Sequence, residues 1–184
     1  MARHATNARD AILDAAEDIV VELGARHLTL NEVATRAGKS RGGVLYHFAD
    51  KEALLRGMLE RRFAHISGMR EKRRANLPDT PESEVTAFVL ATLEGSRRQK
   101  RIASAVVAAA VHNPDLLSPA RKEYREFINR LVSRGLRAER AGVIVLAIDG
   151  LILSELLSLA HFDKTKRSKI IKEIISLTTD GTKG

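Results

Sequence analysis

An all-α fold is predicted by three features of the chain: apolar residues recur at helical spacing almost throughout, glycine and proline fall between the periodic segments, and no sustained alternation of period two appears. With 184 residues and 44% hydrophobic content, the chain can bury one large core or two small ones. The formal charge of +8 implies an anionic partner, because clustered Lys and Arg raise the local potential toward nucleic acid or acidic lipid. The absence of cysteine excludes disulfides, thiolate zinc sites and cysteine nucleophiles. The N-terminal stretch MARHATNARDAILDAA has no long apolar run before a small-residue cleavage site, so it does not read as a secretory signal and a cytoplasmic location is expected.

The first helix carries Ala8, Ile12, Ala15, Ala16, Ile19 and Leu23 on one face, and Gly24 stands where a left-handed C-cap ends it. Asp10, Asp14, Glu17, Asp18 and Glu22 make this helix acidic, which suits a scaffold better than a groove reader. The second helix opens on Thr29-Leu30-Asn31-Glu32, a capping-box pattern, and ends at Gly38. Only Gly38, Lys39 and Ser40 then precede RGGVLYHF; a short glycine-containing turn between two short helices is the helix-turn-helix signature. Asp50 caps a fourth helix with a buried stripe of Leu55, Met58, Leu59, Phe63, Ile66 and Met69, whose basic run Arg70 to Arg74 reads as a solvated helix end.

A proline-containing link near Asn76 to Thr80 marks a domain boundary, dividing the chain into 1–50, a connecting helix over 51–76, and 77–184. Thr80-Pro81 and Ser118-Pro119 each place proline beside a capping residue, so helices are predicted over 81–98, 101–112 and 119–138. The stretch Ala141 to Ala160 has the length of a membrane span, but Asp149 and Glu155 would each cost about 2.5 to 3.5 kcal/mol near a bilayer centre, which favours a helix buried between other helices. A last helix over Lys166 to Thr179 sets Ile170, Ile171, Ile174, Ile175 and Thr178 opposite lysines.

The segment GKSRGGVLYHFADKEALL supplies what a recognition helix over Ser40 to Phe48 requires. Ser40 can cap it, and Lys39 and Arg41 can reach guanine acceptors or phosphate. Gly42 and Gly43 each cost about 1 kcal/mol relative to alanine in a helix, so a close approach is expected to compensate. Val44, Leu45 and Phe48 have the spacing to anchor the helix, which leaves Tyr46, His47 and Lys51 toward the DNA backbone.

This segment resembles the signature of the TetR family of transcriptional regulators, and LTLNEVATRAG is similar to the family's second helix; the match covers about residues 8 to 60. The resemblance implies an N-terminal three-helix DNA-binding domain joined to a C-terminal helical bundle for ligand binding and dimerisation. It gives Thr29, His47 and Lys51 phosphate-contacting positions, Tyr46 a DNA-contacting position, Arg41 a variable base-reading position and Gly42 a small-residue position. The family's usual tyrosine position holds Leu45 here, with Tyr46 one place later. A repressor is expected, bound to double-stranded operator DNA as a homodimer through residues 141–179 and released by a small apolar effector. Phe88, Val107, Val111, His112, Tyr124, Phe127 and Leu131 are a set able to line the effector pocket.

Other chemistry is poorly supported by the residues. The string Gly38-Lys39-Ser40 lacks the glycine five places earlier that a phosphate-binding loop requires, Val33 standing there. His4, His27, His47, His65, His112 and His161 show no metal-ligand spacing on one helix, so no metal or other cofactor is expected. Asp149 and Glu155 stand on different faces of their helix, which argues against a paired acid-base device and leaves them to hydrogen-bond at an interface or to meet a ligand. No enzymatic site is expected.

Overall fold

A computed structural model describes residues 8–93, 96–159 and 162–179; His4, Ala160 and His161 lie outside this set. The described residues form helices α1 (Ala8–Glu22), α2 (Leu30–Ala37), α3 (Arg41–His47), α4 (Lys51–Arg74), α5 (Pro81–Leu93), α6 (Arg97–Ala110), α7 (Ser118–Val132), α8 (Ala138–Leu156) and α9 (Lys164–Ser176), with 3₁₀ turns at Ala25–His27 and Pro114–Leu117. No strand occurs among them. The fold is all-α.

By internal contacts the chain forms two compact units, one of residues up to Arg62 with Ser96–Pro119, the other of Phe63–Gly95 with the residues from Ala120 onward. Helix α4 runs from the first into the second. The division expected near residue 77 does not coincide with these units, because α6 packs on α1 rather than with α5.

In the N-terminal unit the apolar face of α1 is sealed: Ile12, Leu13, Ala16 and Ile19 have no exposed surface. The three larger of these, Ile12, Leu13 and Ile19, each contribute roughly 1.5 to 3 kcal/mol of burial free energy. Gly24 follows α1 with φ of 91° and ψ of 160°, an extended positive-φ conformation that glycine adopts without Cβ strain, in place of the left-handed cap expected there. The acidic face of α1 is tied to basic partners. Arg61 of α4 reaches Asp14 at 2.7 Å and Glu17 at 2.5 Å. Arg98 of α6 reaches Asp18 at 2.5 Å and Glu17 at 3.4 Å, and Arg36 of α2 reaches Glu22 at 2.5 Å. Burial weakens proton binding by Arg61, but Glu17 and Asp14 more than restore it, so its pKa stands above the ordinary value. The scaffold role read for α1 therefore has a definite form: its acids hold three other helices.

In the C-terminal unit Val85 and Val89 of α5, Phe127 and Leu131 of α7, Ile144, Val145 and Ile148 of α8 and Ile174 of α9 form one core. The isoleucine stripe of α9 turns largely into this core, with Ile170, Ile171 and Ile175 packed against it. A row of exposed apolar side chains lies instead along α8 and its C-cap, where Val143, Leu146, Leu153 and Leu157 are 50%, 66%, 44% and 51% exposed. No helix among the described residues is long and apolar enough to cross a membrane.

Several boundaries differ from the sequence reading. Helix α5 stops at Leu93, and Ser96 caps α6 through a reciprocal box with Gln99. Helix α7 stops at Val132 because Gly135 takes φ of 92° and Leu136 N–H returns to the Leu131 carbonyl at 3.2 Å. The basic end of α4 is solvated only in part, through Lys72. Arg70 is buried and Arg74 lies 3.3 Å from Glu84, a carboxylate with only 2% of its side chain exposed. Arg130 meets the same carboxylate at 3.0 Å, and Arg70 and Arg134 approach within 4 Å. Burial, with Arg130 beside it, pushes the Arg70 pKa down. A run of basic residues reads as solvated only while its acidic partners, remote in sequence, are unseen.

Candidate DNA-binding site

Helix α2 begins at Thr29, whose Oγ1 accepts from Glu32 N–H at 3.1 Å, and ends at Gly38 in the left-handed conformation, φ 62°. Gly38 turns the chain within Lys39 and Ser40, and Ser40 Oγ then accepts from Gly43 N–H at 3.0 Å to open α3. The two caps set the angle between the helices with local hydrogen bonds, each worth about 1 kcal/mol.

One face of α3 is fixed inward by Val44, fully buried, and by Phe48, 4% exposed. Leu45 does not join them. At 41% exposure it lies beside the buried face, because a seven-residue helix presents positions 44 and 48 to the core and turns 45 away. Phe48 is held from two sides: the Arg9 guanidinium lies 5.3 Å from its ring centroid, and Gly57 of α4 faces it where a Cβ would stand only 2.8 Å from its Cε1 and 3.2 Å from Leu13 Cδ2. Gly57 is therefore a structural requirement that the sequence reading missed; its only signal was a glycine inside an otherwise regular helix.

The opposite face of α3 is open. Tyr46 is 86% exposed and meets His47 edge to face, with ring centroids 5.0 Å apart. Lys39, Ser40, Arg41 and Gly42 are exposed as well. Among the described residues no carboxylate pairs with Lys39 or Arg41, whereas Arg36, Arg61 and Arg98 are all engaged by α1. Nothing within the unit demands Gly42, since a Cβ there would meet only Ser40 Oγ at 4.0 Å. At Gly43 a Cβ would crowd the same oxygen at 3.3 Å and disturb the cap. Lys51, at the first turn of α4, donates to the Ala25 carbonyl at 2.7 Å and so ties the turn before α2 to the segment after α3. Asp50 Oδ1 accepts from Ala53 N–H at 2.7 Å and caps the same turn. The outcome is a rigid two-helix element with a cationic, aromatic and hydroxyl-bearing face toward solvent, the residue types that grip phosphate and base edges.

The residues expected to line an effector pocket divide between the units. Phe88 and Phe127 stack at 4.0 Å with an interplanar angle of 19°, and Phe127 and Leu131 are sealed in the core of the C-terminal unit. Tyr124 packs against that core and donates to Asp149; burial foremost, with this hydrogen bond, pushes its phenol up to about 12. Desolvation raises the Asp149 carboxyl, against the opposing effect of the Tyr124 hydroxyl. Glu155 pairs with Arg167 at 2.5 Å. Val107, Val111 and His112 belong to the N-terminal unit, where Val107 and Val111 are 37% and 76% exposed. No group of three His, Asp or Glu is placed to hold a metal among the described residues.

A capped helix-turn-helix with an open basic face on an all-α chain defines the class of helix-turn-helix DNA-binding regulators. Residues 12–58 match the family model for bacterial regulatory proteins of the tetR family, and residues 82–179 match the tetracyclin repressor-like C-terminal domain. The chain belongs to the TetR family of DNA-binding transcriptional regulators. It is 29% identical over 189 residues to the HTH-type transcriptional regulator BetI of Escherichia coli K12, covering 94% of this chain and 95% of that one. A transcriptional regulator from Rhodococcus sp. Rha1 has the same fold with a TM-score of 0.75 and 21% identity over 95% of this chain and 97% of that one. The multidrug binding protein EbrR, solved in complex with imidazole, follows with a TM-score of 0.71 and 23% identity over 94% of this chain and 95% of that one.

Proposed function

We propose that this protein is a cytoplasmic repressor that binds a pseudo-palindromic operator as a homodimer and leaves it when a small, largely apolar effector occupies its C-terminal unit. The observation that carries the reading is the open face of α3, where Tyr46 is 86% exposed and Lys39 and Arg41, exposed as well, lack carboxylate partners among the described residues. Arg41 reads a base, Tyr46, His47, Lys39 and Thr29 grip the backbone, and Ser40, Gly42 and Gly43 allow close approach. Lys51 keeps two N–H donors for phosphate beyond its bond to Ala25. The family's tyrosine role falls to Tyr46 rather than Leu45, since Tyr46 projects farther into solvent. The exposed apolar row of α8 supports pairing with a second copy, and a two-fold pair sets two recognition helices about 34 to 36 Å apart on successive major grooves. The effector reading is supported by EbrR, a multidrug binding protein of the same fold.

The test is titration of parent, Arg41→Ala and Tyr46→Ala against a duplex that the parent selects, at several salt concentrations. Arg41→Ala loses discrimination worth about 1 to 3 kcal/mol at one base pair, Tyr46→Ala weakens binding to all sequences, and parent affinity falls steeply with salt. Superimposable curves for the three proteins contradict the assignment of α3. Hydrophobic compounds that raise the melting temperature without lowering operator affinity contradict the effector role, because a ligand with equal affinity for both states shifts nothing.

A further inference from the structure

The N-terminal unit contains a cavity of about 390 Å³, of whose lining the proposed DNA-binding role uses only Lys51. It lies between the 3₁₀ turn at Ala25–His27, the first turns of α4 and the last turns of α6, all within that unit. Its floor is apolar: Leu55 and Leu116 are each 1% exposed there, and Ala105 and Ala109 present only methyl groups. The small side chains of α6 are what leave the space open. A volume of this size is at the lower end for small-molecule sites, enough for one ring or a short chain.

The mouth carries directed charge. Arg26 spends its Nε on His27 Nε2 at 2.9 Å, and among the described residues its terminal nitrogens have no acceptor. Lys51 spends one N–H on the Ala25 carbonyl at 2.7 Å and retains two. The single acid at the mouth, Glu52, is already held by Asn113 Nδ2 at 2.7 Å. Two cations with unused donors thus face one engaged carboxylate above an apolar floor. His112 adds a further ring nitrogen at the rim.

We propose that this cavity is a binding site for a small aromatic or short-chain monocarboxylate, its apolar body against Leu55, Ala105, Ala109 and Leu116 and its carboxylate between Arg26 and Lys51. The site lies within the DNA-binding unit, shares Lys51 with the proposed phosphate contacts, so that the two uses of its free donors compete, and is separate from the effector site proposed above. Charge-assisted hydrogen bonds from a guanidinium and an ammonium select the anion, and the apolar floor selects against a bare inorganic ion.

The test titrates the full chain with benzoate, benzyl alcohol and inorganic phosphate while the methyl resonances of Leu55, Leu116, Val85 and Leu131 are followed by NMR. Benzoate is expected to shift Leu55 and Leu116 saturably, at least tenfold more tightly than benzyl alcohol or phosphate. Ala109→Leu, which fills the floor, and Arg26→Gln, which removes a cation without touching the core, are each expected to weaken benzoate at least tenfold while retaining the parent's helical circular dichroism. The proposal is overturned by non-saturable shifts, by equal binding of the alcohol or of phosphate, by shifts confined to Val85 and Leu131, or by undiminished benzoate binding in Arg26→Gln. None of these outcomes depends on operator binding, so the failure of this site and the failure of the repressor reading are distinguishable.

Discussion

Gly57 and Gly68 lie on the same helix, and the same substitution is expected to act on them with opposite sign. Alanine in a helix interior is favoured over glycine by about 1 kcal/mol. At Gly68 nothing lies within 4 Å of the added Cβ, so Gly68→Ala gains most of that amount. At Gly57 the added Cβ meets Phe48 Cε1 at 2.8 Å, Leu13 Cδ2 at 3.2 Å and Phe48 Cζ at 3.5 Å. Neither neighbour can yield cheaply: Leu13 is fully buried, and the Phe48 ring is 4% exposed beneath Arg9. Overpacking of this kind costs roughly 1 to 3 kcal/mol. The clash outweighs the propensity gain, leaving Gly57→Ala destabilised by about 1 kcal/mol on balance. The two variants thus differ by about 2 kcal/mol, which for a chain of this size corresponds to melting temperatures about 4 to 8 °C apart. Differential scanning calorimetry of both variants beside the parent measures this directly. If Gly57→Ala rises in melting temperature as Gly68→Ala does, Phe48 is not wedged against α4 and the account of how α3 is anchored is wrong.

Glu84→Ala leaves Arg70, Arg74, Arg130 and Arg134 without their shared buried carboxylate and is expected to cost about 3 to 5 kcal/mol in urea denaturation; a change under 1 kcal/mol contradicts the network. Tyr124, with its phenol raised to about 12, keeps its proton in the folded state where the unfolded chain has lost it. Its stabilising contribution is therefore complete below pH 10 and disappears as pH rises toward 12, so ultraviolet titration of a Tyr46→Phe protein is expected to show the remaining phenol ionising near pH 12. A midpoint near pH 10 excludes the hydrogen-bonded pair of Tyr124 with Asp149. Leu146→Arg sets a charge on the exposed apolar row of α8 and is expected to convert a dimer to a monomer at micromolar concentration in light scattering; an unaltered dimer places the interface elsewhere.

The parts of the molecule legible in sequence are those governed by local chemistry. The capping residues Thr29, Ser40 and Asp50 and the turn glycine Gly38 act within a few residues of themselves, and each occupies the role its neighbours imply; Gly24 keeps the positive φ expected of it but in an extended conformation. Inward-facing Val44 and Phe48 follow from helical spacing in the same way. Leu45 escaped that reasoning because a helix of one and a half to two turns can bury too narrow a stripe to include three such positions. What stayed hidden depends on partners distant in the chain. Arg70 and Arg74 read as solvent-facing until Glu84 and Glu123 arrive from other helices, and the acids of α1 have no visible purpose until Arg61 and Arg98 meet them. The assignment of α6 to the N-terminal unit is of the same kind, since its ion pairs span about eighty residues of sequence.

The central claim, that α3 reads operator DNA from a two-fold dimer, is tested most directly by selecting bound sequences from a pool of random duplexes with the purified full chain. The account predicts enrichment of a pseudo-palindrome whose half-sites are spaced by about one helical turn or a multiple of it, with the enrichment lost in Tyr46→Ala. Failure to enrich any sequence, enrichment of a single unpaired half-site, or an unchanged motif and yield with Tyr46→Ala would contradict it.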